Sequence, residues 1–185
     1  MRVLTISGSL RPGSLNSLLL RAAEEQAPAG VQIDRFTSLA EIPPFHGDRA
    51  ETAAVPAAVQ DLRDRIAVAD AVLIATPEYN GSIPGALKNA LDWASRPFAT
   101  NVFRGKPVAV IGSSTGLFGA IWAQEELRKV LGAMGARVAD VELGVGQAEQ
   151  KFDADGLLVD EETRERLRAA LAALAAEHEP ALAAA

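Results

Sequence analysis

At 185 residues, 49% of them hydrophobic and 23% charged, the chain has enough length for one full core, too little for two, and a globular composition rather than a disordered one. Its net charge of −6, with no basic run, offers no electrostatic footprint for nucleic acid or an anionic membrane surface. The lack of cysteine excludes disulfides, thiolate metal sites and a cysteine nucleophile, and only two histidines, His46 and His178, are available to a serine triad or a metal.

Val3 to Ile6 reads as a short apolar strand, followed by a loop carrying Ser7, Gly8, Ser9, Arg11, Gly13, Ser14, Asn16 and Ser17. Residues 16–26 then show helical spacing, with Leu15, Leu18, Leu19, Ala22 and Ala23 on one face and a stop near Pro28-Ala29-Gly30. A strand, a hydroxyl-rich loop and a helix N-terminus together make an anion site: free N–H groups point along a positive dipole end, and small residues admit a phosphate. Arg11 adds a planar, permanently charged donor. The loop is neither GxxxxGK[ST] nor GxGxxG, so one monophosphate fits better than a triphosphate or a pyrophosphate. A plainer reading stands beside this one, in which Ser and Asn cap the helix and Gly-Ser makes a turn. The hydroxyl density and Arg11, directly after the first strand, favour the ligand. Only four apolar residues precede the Ser-Gly turn, which predicts no secretory signal. No run approaches the roughly eighteen apolar residues of a membrane crossing, so the cytoplasm is the expected location.

Residues 31–36 alternate apolar and polar, as a half-exposed edge strand does. A long loop, 37–52, contains Pro43-Pro44 and Gly47, and His46 reads there as a loop residue. Pro56 opens a helix with Val59, Leu62, Ile66 and Ala69 on one face. Residues 71–75 form a continuous apolar run, expected of a central parallel strand, and end in Thr76-Pro-Glu-Tyr-Asn-Gly-Ser-Ile83. Pro84 starts a helix through Trp93. Residues 107–111 make another buried strand, ending in the glycine- and serine-rich stretch 112–119. A helix over 120–134 stops at Gly135, and 137–143 reads as the fifth strand. Asp160 caps a last helix with Glu161 and Glu162 in its first turn, His178 solvated near its end and an Ala-rich tail that frays.

Five strands alternating with five helices predict a three-layer, doubly wound, five-stranded parallel sheet in one domain spanning residues 1–185. The most apolar runs are the third and fourth strands, which gives the order 2-1-3-4-5 with the switch point between strands one and three. The loops after strands one, three and four then meet at one carboxyl edge. Tyr79, the only tyrosine, suits either a flat heterocycle or a subunit contact, and Asn80-Gly81 suits either a ligand path or a turn. Phe118 is placed to cover a ligand. Trp93 and Trp122 are candidates for the core or for a symmetric dimer face.

The stretches from Gly8 to Ser17 and from Pro77 to Trp93 resemble the NADPH-dependent FMN reductase family, flavodoxin-like proteins that include quinone, chromate and azo-dye reductases, and the likeness extends over essentially the whole chain. The resemblance implies FMN, with Ser9, Arg11, Ser14, Asn16 and Ser17 around its phosphate. Pro77, Glu78, Tyr79, Asn80 and Gly81 would lie along the isoalloxazine, with Ser113 and Ser114 near its other side. It also implies NADPH or NADH as hydride donor, a small-molecule electron acceptor such as a quinone, and a homodimer or homotetramer. Gly119-Ala120 departs from the paired glycines of similar proteins. The flavin supplies the reactive atoms, so no side chain is named as catalytic and no metal is expected. Arg49, Arg96 and Arg104 are candidates for a nucleotide 2′-phosphate. Two other classes stand as rivals: a flavodoxin-like electron carrier that never meets NAD(P)H, and a non-redox module for a phosphorylated ligand. An acyl hydrolase is disfavoured, since no serine sits in G-x-S-x-G.

Overall fold

In the computed structural model, which describes residues 1–50 and 55–183, the elements follow one another as β1 (Arg2–Ser7), α1 (Leu15–Glu25), β2 (Gln32–Phe36), α2 (Gly47–Ala50), α3 (Ala57–Val68), β3 (Ala71–Thr76), α4 (Gly85–Ala94), β4 (Pro107–Ser113), α5 (Ile121–Ala133), β5 (Arg137–Val138), β6 (Leu143–Val145) and α6 (Glu161–Ala183). The sheet runs β2-β1-β3-β4-β5, wholly parallel, with β6 also on β4. This is the expected flavodoxin-like order. Ile6 lies beside both Phe36 and Ile74, and Ile74 beside Val110, which fixes the register across the centre.

The period-two alternation of the central strands divides the core between two faces. Leu4, Ile6, Val72, Ile74, Val108 and Val110 pack under α3, α4 and α5, while Val3, Leu73, Ala109 and Ile111 pack under α1 and α6. Every residue of β3 and β4 is buried, as their unbroken apolar runs require, whereas β2 is the half-exposed edge.

Three stretches differ from expectation. Residues 137–143 do not form one strand: β5 and β6 each pair with β4 but are separate. Between them the Val141 amide bonds back to the Ala139 carbonyl at 2.9 Å, folding the chain out of the ladder. Arg128 of α5 reaches into the break and donates to the carbonyls of Val110 and Val141, replacing ladder bonds that the missing residues would have made. The 37–52 loop carries a 3₁₀ turn over Leu39–Glu41 and the single turn of α2, and Glu51 and Thr52 lie outside the described residues. Its prolines are pinned to α4, since Asn89 Nδ2 and Trp93 Nε1 both donate to the Pro43 carbonyl, at 2.9 and 2.8 Å. That contact places Trp93 in the core, 1% exposed, while Trp122 is 51% exposed. His46 sits exposed on this segment. His178 is not solvated: it is largely covered, with Nε2 4.0 Å from an Asp70 carboxylate oxygen. The helix carrying it continues to Ala183, and Ala184 and Ala185, the end of the Ala-rich tail, lie outside the described residues.

Candidate functional site

The carboxyl ends of β1, β3 and β4 open into one cavity of about 380 Å³, at the switch point between β1 and β3. Ser9, Arg11, Gly13, Ser14 and Asn16 form its first wall; Pro77, Glu78 and Tyr79 the second; Ser113, Ser114 and Thr115 the third.

The first wall is ordered by its own hydroxyls. Ser7 Oγ accepts from the Ser9 amide and Ser9 Oγ from the Arg11 amide, each at 3.3 Å. Gly8 crosses tightly over β3, donating to the Ala75 carbonyl at 2.8 Å, where a Cβ would lie 3.0 Å from Leu87 and 3.3 Å from Pro77. Ser14 caps α1, accepting from the Asn16 amide at 3.2 Å, and also lines the cavity, so the capping and ligand readings of this loop both hold for it. Asn16 is 2% exposed and its amide is spent on Ser113, donating to the carbonyl and accepting from the N–H, both at 3.0 Å. It fastens α1 to the end of β4. Ser17 does not line the cavity: its hydroxyl donates to Ser7 Oγ at 3.0 Å, turned back toward the strand.

In the second wall, Asn80 and Gly81 have φ of 56° and 75°, and Tyr79 and Ser82 exchange backbone bonds of 3.0 and 3.2 Å. Two successive left-handed residues between the bridged Tyr79 and Ser82 make the tight turn that Asn-Gly favours. The pair therefore forms a tip outside the cavity lining and holds Tyr79, 46% exposed, at its rim. The Glu78 carboxylate is engaged, accepting from the Trp122 and Ala123 amides at 3.1 Å each.

In the third wall, Ser114 donates its amide to Val145 at 3.0 Å, joining the loop to β6. Gly119 is obligatory, because a Cβ there would lie 2.3 Å from the Gly144 backbone. Ala120, which replaces the second glycine, is held at φ 63°. Phe118 does not cover the cavity; it is exposed and stands edge-on to Trp122 with ring centroids 5.2 Å apart.

Sequence reasoning missed a fourth wall, in which Glu149, Phe152 and Asp153 come from the segment between β6 and α6. The Asp-Gly pair at 155–156 was a legible turn signal: Asp153 accepts from the amides of Asp155 and Leu157 at 3.0 and 2.8 Å, and Gly156 has φ 72°. What the turn packs against depends on distant residues, chiefly Arg21 of α1, which donates to the Asp155 and Gly156 carbonyls.

Arg11 is the one cation on the lining, and its guanidinium makes no hydrogen bond or ion pair among the described residues. Its charge and the N-terminus of α1 act on the same spot. Arg49, Arg96 and Arg104 do not line the cavity. Arg96 follows α4 and Arg104 precedes β4, so both stand at the sheet's amino edge. Ser113 lines the cavity at the end of β4, and its Oγ is buried without a hydrogen-bond partner. An unpaired guanidinium beside a helix N-terminus suits a phosphomonoester, which is the chemistry of FMN's phosphate. Among the described residues no group of three His, Cys, Asp or Glu is arranged to hold a metal.

Comparison with known proteins agrees with this chemistry. The profile of the NADPH-dependent FMN reductase family matches residues 1–150. An NAD(P)H-dependent FMN reductase of Pseudomonas aeruginosa is 43% identical over 175 residues, covering 94% of this chain and 93% of that protein. A quinone reductase of Escherichia coli K12 is 38% identical with the same coverage. Among solved structures, the flavoenzyme NAD(P)H:(acceptor) oxidoreductase FerB from Paracoccus denitrificans superposes with a TM-score of 0.86 at 37% identity, covering 97% of both chains.

Proposed function

The chain belongs to the NADPH-dependent FMN reductase family, and from that premise we propose that it is a single flavodoxin-like domain, residues 1–185, that binds FMN in the switch-point cavity and reduces quinones or similar acceptors with NADPH or NADH. FMN, when bound, supplies the chemistry that takes hydride from the nicotinamide and returns reducing equivalents to the acceptor. The chain's own part is to bind, orient and enclose. Arg11 and the first turn of α1 hold the phosphate, with Ser9 and Ser14 beside it. Asn16 and Ser17 act through Ser113 and Ser7, keeping that cup in shape. Pro77, Glu78 and Tyr79 line one side of the slot and Ser113 and Ser114 the other, while Asn80 and Gly81 set the turn that presents Tyr79. Hydride transfer through the flavin requires no acid or base of the protein. Azo dyes, nitroaromatics and chromate are further acceptors that an open stacking site would admit.

The observation that carries this reading is the Arg11 guanidinium on the lining of the switch-point cavity, which makes no hydrogen bond or ion pair among the described residues and lies beside the loop that leads into α1. Two further parts of the reading concern assembly and location. Leu117, Phe118, Ile121 and Trp122 are all more than half exposed, with the Phe118 and Trp122 rings against each other, which supports a homodimer or homotetramer built on that face. No described helix is long and apolar enough to cross a membrane, and we place the protein in the cytoplasm with no nucleic-acid partner. The test is an anaerobic titration of the FMN-loaded protein with NADPH and then NADH. The yellow colour should bleach and return on adding a quinone, and steady-state double-reciprocal plots should be parallel. A protein that stays yellow with both donors is an electron carrier and not a reductase.

A further inference from the structure

We infer that Glu78 is a positioning residue that locks together the two loops flanking the cofactor slot, by capping a helix to which it does not belong. A helix leaves its first four amides without internal partners, and the N-cap side chain normally accepts from the second or third. In α5 the N-cap is Ala120, which has no accepting group. Glu78, 44 residues before Trp122 on the loop after β3, takes over the role: one carboxylate oxygen accepts from both Trp122 and Ala123, the second and third amides of the helix. A full negative charge also sits at the positive end of the α5 dipole.

A second carboxylate crosses the same gap in the opposite direction. Glu126, on the next turn of α5, accepts from the Ile83 amide at 3.3 Å. The two contacts bracket the Tyr79–Ser82 hairpin, so the loop is tied to α5 on both sides of its turn. The chain entering α5 is the 113–119 loop, which carries Ser113 and Ser114 on the opposite wall. The width of the slot between the second and third walls is therefore set by Glu78 and Glu126, and the Glu78 carboxylate is spent on this bridge rather than on a ligand.

The inference rests on FMN occupying this cavity, and its test separates the two claims. Glu78→Ala, Glu78→Gln, Glu126→Ala and the control Glu125→Gln are compared with wild type by FMN fluorescence quenching, by visible circular dichroism of the bound flavin and by amide hydrogen exchange of the flavin-free proteins. Glu78→Ala should bind FMN about five- to tenfold more weakly, with an altered flavin dichroism and faster exchange at Trp122 and Ala123. Glu78→Gln, whose amide oxygen still accepts, should recover most of all three. Glu126→Ala should show a smaller loss of about threefold, and it carries the test if Glu78→Ala does not fold. Wild-type affinity, dichroism and exchange in Glu78→Ala, or a glutamine variant as impaired as the alanine one, overturns the inference. A wild-type protein that takes up no FMN defeats the cofactor reading instead, and exchange at Trp122 and Ala123 still decides whether Glu78 makes the bridge.

Discussion

The wall made by residues 9–16 and the wall made by residues 149–153 face the same space but are held in different ways. The first is tied to the sheet at both ends, Gly8 to β3 and Asn16 to both backbone groups of Ser113, with Ser14 capping α1 between them. The second is a connection between β6 and α6, anchored by Arg21 reaching across from α1, by Asp160 at the start of α6 and by the Ala148 amide on the Ser114 carbonyl. The first wall carries Arg11, the cation of the lining, and the second carries Glu149, Phe152 and Asp153. The comparison makes a graded set of expectations.

The largest effect should come from Asn16→Ala. It leaves the buried N–H and C=O of Ser113 without partners, which costs about 2–4 kcal/mol of folding stability and lowers the Tm by roughly 5–15 °C. Thermal melts followed by circular dichroism measure it, and a loss no larger than that of an exposed substitution would mean the first wall is not held from β4. Arg11→Ala should leave the Tm unchanged and weaken FMN by about 1.5–3 kcal/mol, roughly ten- to 150-fold, as for a charge-assisted bond. Phe152→Ala removes apolar cover from the second wall and should weaken FMN by about 1 kcal/mol, near fivefold. If it matched Arg11→Ala in fluorescence titrations, the division of labour between the walls would be wrong.

An effect of similar size belongs to the anchor of the second wall. Asp160 accepts from Lys151 Nζ at 2.7 Å and from the Thr163 hydroxyl at 2.6 Å, and these bonds, the lysine first, lower its carboxyl from the usual 3.8 to about 2. A carboxyl lowered in the folded state stabilises fully above its unfolded value and loses that contribution as the pH falls through the folded one. Asp160→Ala should therefore be less stable than wild type by about 1 kcal/mol near neutrality, a figure modest because the group is partly solvated. The gap in Tm should narrow between pH 4 and pH 2, and a gap independent of pH would assign the anchor to something other than the charged carboxylate.

The same contrast explains what could be read from the sequence. The strand order and the first wall were legible because their signals are local: buried apolar runs for β3 and β4, and a hydroxyl-rich loop with Arg11 between a strand and a helix. Nine of the twelve predicted site residues line the cavity; Ser17, Asn80 and Gly81 do not, since a hydroxyl turned toward Ser7 and an Asn-Gly hairpin are settled by neighbours in space. Position without role was readable for Glu78 and Asn16, whose side chains fasten other elements rather than point freely at a ligand. The break between β5 and β6 was hidden because it depends on Arg128 reaching from α5 to Val110 and Val141. The fourth wall was hidden for the same reason, as its Asp-Gly turn says where the chain bends but not what it faces.

Comparing the affinities of wild type and Arg11→Ala for FMN and riboflavin, which differ only by the phosphate, tests the grip of the first wall most directly. Wild type should prefer FMN by at least about tenfold, and Arg11→Ala should lose most of that preference while binding riboflavin as wild type does. Equal wild-type affinities for the two flavins would contradict a phosphate held between Arg11 and the start of α1.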